Sequence, residues 1–185
     1  MMRRLLGLLG LLGLLGLLVP ALAATLAQAA PAHIEHEVPN ARLAGSGTFT
    51  YFTMQIYSAE LWVGPQGYVP AAPFALDLRY ARKLDGRKIA AASAEQMEKI
   101  GAGDAVRRKA WLQQMTAIFP DVHEGSHITG VFVPGQGARF YLDGKALAGI
   151  ADADFARAFF GIWLDPATTA PALREALLKQ AAPPR

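Results

Sequence analysis

Five consecutive residues, His123 to His127, carry the H-E-x-x-H pattern with which many metalloproteases bind zinc. The pattern requires a helix, because only there do residues i and i+4 turn two imidazoles towards the same metal ion. Here Pro120 precedes the pattern, Gly125 and Ser126 interrupt it, and a run of strand-forming residues follows. We therefore interpret these residues as an exposed polar loop and predict no metal site in them.

A second pair of histidines, His33 and His36, lies with Glu35 and Glu37 in the sequence H-I-E-H-E. These side chains could bind a metal ion weakly, but they lie near the start of the mature chain, where polypeptides are usually mobile. The sequence has no cysteine, which excludes a thiol nucleophile, a thiolate metal site and c-type haem attachment. It also has no G-x-S-x-G, P-loop or Rossmann glycine pattern, so hydrolase and nucleotide chemistry lack support.

Residues 1–29 have the features of a signal peptide. A pair of arginines precedes an apolar run, Leu5 to Leu18, that is short for a membrane span, and Pro20 ends it. Residues 27–29, Ala-Gln-Ala, offer a small-x-small cleavage site, with residues 21–23 and an uncleaved membrane anchor as alternatives. We predict a periplasmic or secreted protein that contacts the membrane only through this segment.

The remaining chain is almost neutral. Two of the 18 basic residues belong to the predicted signal peptide, which leaves 16 basic against 15 acidic residues. A neutral domain has no electrostatic affinity for nucleic acid, so no nucleic-acid partner is predicted. About 155 residues make one domain, which we divide into a polar lead-in at residues 30–40 and a folded domain at residues 41–180.

The hydrophobic patterns of the domain alternate between strands and helices. Residues 45–63 and 74–81 predict strands, the first with a bend near Thr53 or divided there into two. Residues 85–119 predict helix with a break at residues 101–103. Three further strands are predicted at residues 127–133, 138–142 and 145–150. Two helices, around Phe155 and Leu173, close the chain. Hairpins in place of crossovers indicate an α+β fold, an antiparallel β-sheet packed on one face by a layer of helices.

Three segments carry a family resemblance. They are F-x-x-x-F-F-G-I-W-L-D-P at Phe155 to Pro166, P-A-L-R-E-A-L-L at Pro171 to Leu178, and G-S-G-T-F-T-Y-F-T-M-Q-I-Y-S-A-E-L-W-V at Gly45 to Val63. Together they resemble the chalcone isomerase-like family, in particular its secreted bacterial branch, over about residues 41–178. The resemblance implies an open-faced β-sandwich, in which a pocket lies between the sheet and the helices.

Chalcone isomerases close a ring by adding a phenolate oxygen to an enone, which requires a cation for the phenolate and hydroxyl donors for the developing enolate. Plant members carry a strand of the type F-T-A-I-G-V-Y, and residues 52–57 read F-T-M-Q-I-Y here. Thr53 matches the family threonine, whereas Tyr57 lies one residue too close to it. Residues 45–56 contain no basic residue, and Arg42 is the nearest. Thr53 and Arg42 are therefore the candidate catalytic residues, and the missing cation argues against plant-type catalysis.

The wider family also includes proteins that are not isomerases, and resemblance to them implies a pocket for an apolar carboxylate such as a fatty acid, held by an arginine and a tyrosine. Arg79 and Tyr80 match that pair, but successive strand residues face opposite sides of a sheet, so only one is expected to face the pocket. The candidate ligand-binding residues are Tyr57, Arg79, Tyr80, Met54, Met115, Phe159 and Trp163, with Ile56 beside them. The apolar members of this set fit a packed core as well as a cavity wall.

We predict non-catalytic binding of a small apolar ligand, a fatty-acid-like carboxylate or a flavonoid-like molecule, in a pocket between sheet and helices. Two alternatives stay open. One is an intramolecular lyase that closes a ring by conjugate addition on a chalcone-like enone, and the other is a structural or accessory protein with a filled core. Neither a cofactor nor a metal ion is predicted, and the expected partner is a small apolar molecule.

Overall fold

The computed structural model describes residues 28–183, which contain five α-helices and six β-strands. In chain order they are α1 Ala32–Glu37, β1 Arg42–Tyr51, β2 Met54–Val63, β3 Phe74–Tyr80, α2 Gly86–Lys99, α3 Ala105–Ile118, β4 His127–Val133, β5 Gly137–Leu142, β6 Lys145–Ile150, α4 Ala153–Leu164 and α5 Pro171–Leu177. The predicted signal peptide lies outside the described residues except for its last two. No helix within residues 28–183 is long and apolar enough to cross a membrane.

The six strands form one antiparallel sheet in the order of the sequence, β1 to β6. Tight turns join most neighbours, whereas α2 and α3 lie between β3 and β4. Alternation along β3 divides its side chains between the two faces of the sheet. Leu76, Leu78 and Tyr80 are buried under the helices, whereas Asp77 and Arg79 face the other side.

The helix layer consists of α2 to α5 and forms the main core with one face of the sheet. Asp85 caps α2 through the backbone N–H of Arg87, and Asp104 caps α3 in the same way. The predicted break between them is confirmed, since Gly101 has a φ of +72° and ends α2. Helix α4 lies deepest in this layer and packs four large aromatic side chains, those of Phe155, Phe159, Phe160 and Trp163, against the sheet and its neighbours.

Helix α1 packs on the opposite face of the sheet, where Ile34 and Val38 are fully buried against Trp62, Ala75 and Val131. The α+β class and the antiparallel sheet with its helix layer are confirmed. The sequence did not predict a helix in the lead-in at residues 30–40, where two buried aliphatic residues four positions apart anchor α1 to the sheet. We call this side of the sheet the α1 face.

Candidate ligand-binding site

A cavity of about 450 Å³ lies between the sheet and helices α2 and α4. The strands contribute the side chains of Phe49, Ile56, Tyr57, Leu78, Tyr80 and Ile128. The helices contribute those of Ile89, Ser93, Phe159, Ile162 and Trp163. This volume falls within the range of roughly 300–1,000 Å³ found for small-molecule sites, and the wall is mainly apolar, so the cavity suits a molecule with a substantial hydrocarbon part.

Two neighbouring tyrosines, Tyr57 and Tyr80, lie in the cavity wall, which also includes the polar side chains of Ser93, Gln96 and Thr169. The indole N–H of Trp163 donates to the hydroxyl of Tyr57 across 2.9 Å, so the Tyr57 O–H remains free to donate to a ligand. The Tyr80 ring meets the Tyr57 ring edge to face, with their centroids 6.0 Å apart. Both side chains line the cavity.

Burial raises the pKa of Tyr57 to about 12, although the hydrogen bond from Trp163 partly offsets this effect. Burial also raises the pKa of Tyr80, and the neighbouring Tyr57 adds to the shift. Both phenols therefore stay neutral at physiological pH and act as hydrogen-bond donors. Neutral donors in an apolar cavity favour a carboxylate or carbonyl oxygen as their partner.

The mouth of the cavity is charged. Lys88 and Lys99 of α2 lie on its rim with Glu95, and the exposed ring of Tyr51 lies there too. No arginine lines the cavity in the described part of the chain. An acidic ligand could therefore place its carboxylate either at the rim lysines or at the internal hydroxyls, with its apolar part inside.

A family model described as chalcone isomerase-like matches residues 25–179, which is most of the 185-residue chain. The chain belongs to the chalcone isomerase-like family. An uncharacterized protein of Haemophilus influenzae is 29% identical over 137 residues, which cover 72% of this chain and 66% of that relative. The match therefore spans slightly less than two thirds of the relative's length.

Among solved structures, the crystal structure of a fatty-acid binding protein from Arabidopsis thaliana is similar to this chalcone isomerase-like chain. The TM-score is 0.62 at 15% sequence identity, and the match covers 77% of this chain and 89% of that protein. At this identity the likeness concerns the fold. It agrees with the predicted sheet, helix layer and connectivity.

The chalcone isomerase-like fold brings four predicted ligand-binding residues to the cavity: Tyr57, Tyr80, Phe159 and Trp163, with Ile56 beside them. Three others lie elsewhere. Met115 is fully buried in the core and Met54 is exposed at the start of β2, where its sulfur accepts a hydrogen bond from Arg82. Arg79 faces the α1 face, so of the Arg79–Tyr80 pair only the tyrosine reaches the cavity.

The two candidate catalytic residues are far apart. Thr53 lies in the exposed turn between β1 and β2, whereas Arg42 begins β1, roughly 30 Å away along a ten-residue strand. The Arg42 guanidinium donates to the backbone carbonyls of Gln180 and Ala182 and so holds the C-terminal segment against the sheet. Neither side chain lines the cavity, so the structure offers this pair no common substrate.

The H-E-x-x-H residues lie in a loop and at the start of β4, as predicted, and His123 is exposed. His127 instead bonds through Nδ1 to the buried carboxylate of Asp77 at 2.6 Å. Thr129 donates to the same carboxylate, and His33 contacts the Thr129 hydroxyl at 2.9 Å. Within residues 28–183 no group of three or more metal-ligating side chains is close enough to hold a metal ion. The cluster instead fastens α1 to the sheet.

Sequence reasoning missed the contribution of α2 to the cavity. Ile89, Ser93 and Gln96 recur at intervals of four and three residues, which places them on one side of a helix. Lys88 and Lys99 flank that stripe. The spacing alone could have identified this helix as a wall of the pocket, but it could not have shown that the opposing strand residues leave a gap.

Proposed function

We propose that this chalcone isomerase-like protein binds a fatty-acid-like carboxylate in the cavity between sheet and helices and does not transform it. The observation that carries this proposal is the apolar cavity of about 450 Å³ with two neutral phenols inside and two lysines at its mouth. Membership of the family and a solved neighbour described as a fatty-acid binding protein support non-catalytic binding.

The distribution of cations favours binding over ring closure. An isomerase of the plant type needs a cation beside the phenolate, and the only cations lining the described cavity are the exposed Lys88 and Lys99 on its rim. Charges at a solvated rim stabilise a buried phenolate weakly. They are suitably placed for a carboxylate that remains at the entrance.

Quenching of Trp163 by a brominated fatty acid tests the proposal, since Trp163 lines the cavity and the brominated chain would contact it. The variant Ile89→Trp should narrow the cavity and weaken quenching. Val106→Trp adds the same ring to an exposed position of α3 outside the cavity and should leave the fatty-acid concentration for half-maximal quenching unchanged. Equal, saturable quenching in both variants would contradict the proposed site, and turnover of a chalcone panel would contradict the absence of catalysis.

We further propose that residues 1–29 direct export, so that the protein works in the periplasm or outside the cell. The arginine pair, the apolar run and the small-x-small site support this assignment. Cell fractionation with N-terminal mass spectrometry tests it. Recovery of the chain from the cytoplasm with its first 29 residues intact would contradict it.

A further inference from the structure

The tip of the hairpin formed by β1 and β2 exposes an apolar group of side chains. Among the described residues four large apolar side chains are exposed, and three of them are Tyr51, Phe52 and Met54, at 58%, 84% and 44%. The fourth is Val106, on α3. We call Tyr51, Phe52 and Met54 the hairpin tip. Tyr51 and Met54 pair directly across the turn and Phe52 lies between them, so the three side chains form a single patch.

The backbone holds Phe52 outward in an unfavourable conformation. Its φ is +54°, a region that Gly and Asn adopt readily and that a bulky side chain such as Phe seldom adopts. Its ring contacts the Tyr51 ring, with centroids 4.7 Å apart. A turn that needed only to close the hairpin would be better served by Gly or Asn, so the aromatic side chain at this position calls for another reason.

A basic segment lies beside the hairpin tip. Residues 82–88 read R-K-L-D-G-R-K, with four basic residues and one acidic residue, Asp85, which caps α2. The segment contacts the tip directly, since Arg82 donates to the Met54 sulfur at 3.2 Å. Lys88 and Tyr51 both lie at the cavity mouth, where Glu95 is the acidic neighbour. The apolar tip, the basic segment and the entrance to the cavity therefore form one continuous surface.

We propose that the hairpin tip docks on an anionic lipid bilayer, with the aromatic rings in the interfacial region and the basic segment against the phosphates. Aromatic side chains favour that region, and basic residues gain electrostatic attraction from anionic lipids. Docking turns the cavity mouth towards the membrane. A fatty-acid-like molecule then enters or leaves without crossing water, so this role in loading depends on the function proposed above.

The size and charge of the surface favour a bilayer over a protein. A stable protein interface needs about 800 Å² from each partner, more than three side chains at a turn provide. A second copy of the chain would also bring two basic segments together, and like charges repel. A lipid surface needs no matching shape and supplies the opposite charge.

Vesicle binding tests the proposal. The protein is produced from its full coding sequence and purified as the cell processes it, so all variants share one N-terminus. Phe52→Asn, which suits the positive φ, should weaken binding to phosphatidylglycerol vesicles about tenfold, because one large apolar side chain no longer enters the interface. Val106→Asn removes an equally exposed apolar side chain away from the cavity and should bind as the unmodified protein does.

Charge removal provides a second comparison. The double variant Lys83→Gln with Arg87→Gln should lose about thirtyfold in affinity for phosphatidylglycerol vesicles at low salt, since each basic residue near the surface contributes about fivefold. The double variant Lys109→Gln with Lys145→Gln removes the same charge from exposed positions elsewhere. Its affinity for the same vesicles should fall much less. Phosphatidylcholine vesicles should not distinguish the two pairs.

Unchanged vesicle binding by Phe52→Asn would overturn the proposal. It would also be overturned if native mass spectra showed a dimer of the unmodified protein that Phe52→Asn no longer forms. Saturable binding of a soluble brominated fatty acid, measured without vesicles, separates this proposal from the function above. Phe52→Asn should keep that binding. If the unmodified protein binds vesicles through the tip but binds no fatty acid, docking is supported and the proposed function is contradicted.

Discussion

Trp163 on α4 donates its indole N–H to the hydroxyl of Tyr57 on β2 across 2.9 Å. This bond joins the helix layer to the sheet at the wall of the cavity, where packing is interrupted. It also leaves the tyrosine proton available to a ligand. One contact therefore contributes both to the stability of the two layers and to the polarity of the site.

Replacement of Tyr57 by Phe should remove that acceptor and leave the Trp163 N–H unpaired. We expect a loss of about 1–2 kcal/mol in the free energy of unfolding, measured by urea denaturation. Affinity for a fatty acid should fall more than affinity for an alkane of equal length. Tyr68→Phe, at a partly buried position outside the cavity, is the matched control. Equal losses in the two variants would contradict a specific role for Tyr57.

Stability should fall as the pH drops from about 7 to about 5. Burial lowers the pKa of His33 below its ordinary value of 6.5, and the attraction of Asp77 only partly offsets this. Below pH 6.5 the unfolded chain therefore binds more protons at His33 than the folded chain does. The contribution of neutral His33 to the free energy of unfolding is complete above pH 6.5 and is lost as the pH falls below it. A plot of melting temperature against pH should be flatter for His33→Gln than for the unmodified protein. A melting curve for His33→Gln with the same pH dependence as the unmodified protein would contradict this prediction.

Loss of the Asp77 carboxylate should be among the more damaging single changes on the α1 face. Asp77 is only 5% exposed and accepts from both His127 and Thr129. Asp77→Ala leaves both partners without an acceptor, and we expect about 3 kcal/mol of destabilisation in chemical denaturation. Glu124→Ala, an exposed loop change, should lie within the error of the measurement. A small effect at Asp77 would mean that water replaces its bonds.

Phe52→Asn should raise stability by about 1 kcal/mol, because Asn tolerates a positive φ far better than Phe does. The melting temperature measures this directly. Phe52→Val should lower it, since a β-branched residue is still less suited to that conformation. A gain in stability combined with a loss of vesicle binding would show that the aromatic residue serves contact with a partner.

Much of the fold follows from local patterns in the sequence. Alternation along residues 74–81 predicts the two faces of β3, and the glycines at 101–103 with Asp104 predict the break between α2 and α3. The lead-in was misread because α1 spans only six residues and buries only one within its bounds, Ile34. Such a helix is marginal in isolation, and the sheet beneath it provides its stability.

The site could be predicted only in part. Trp163 and Met115 are equally suited to an apolar interior, and the sequence contains nothing that distinguishes a wall from solid packing. Met115 lies on α3, away from the gap, whereas Trp163 lies on α4, beside it. Whether a gap exists depends on the spacing between two layers, which long-range packing determines.

The consecutive strand order has a kinetic consequence. Three of the five strand pairs are joined by turns of two or three residues, and β2 and β3 by the loop at residues 64–73. Strands β3 and β4 are separated by the much longer segment at residues 81–126, which contains α2 and α3. Closing that long excursion costs more chain entropy than any hairpin. Refolding should therefore be limited by the meeting of these two strands, and their pairing should be the last barrier before the cavity takes shape.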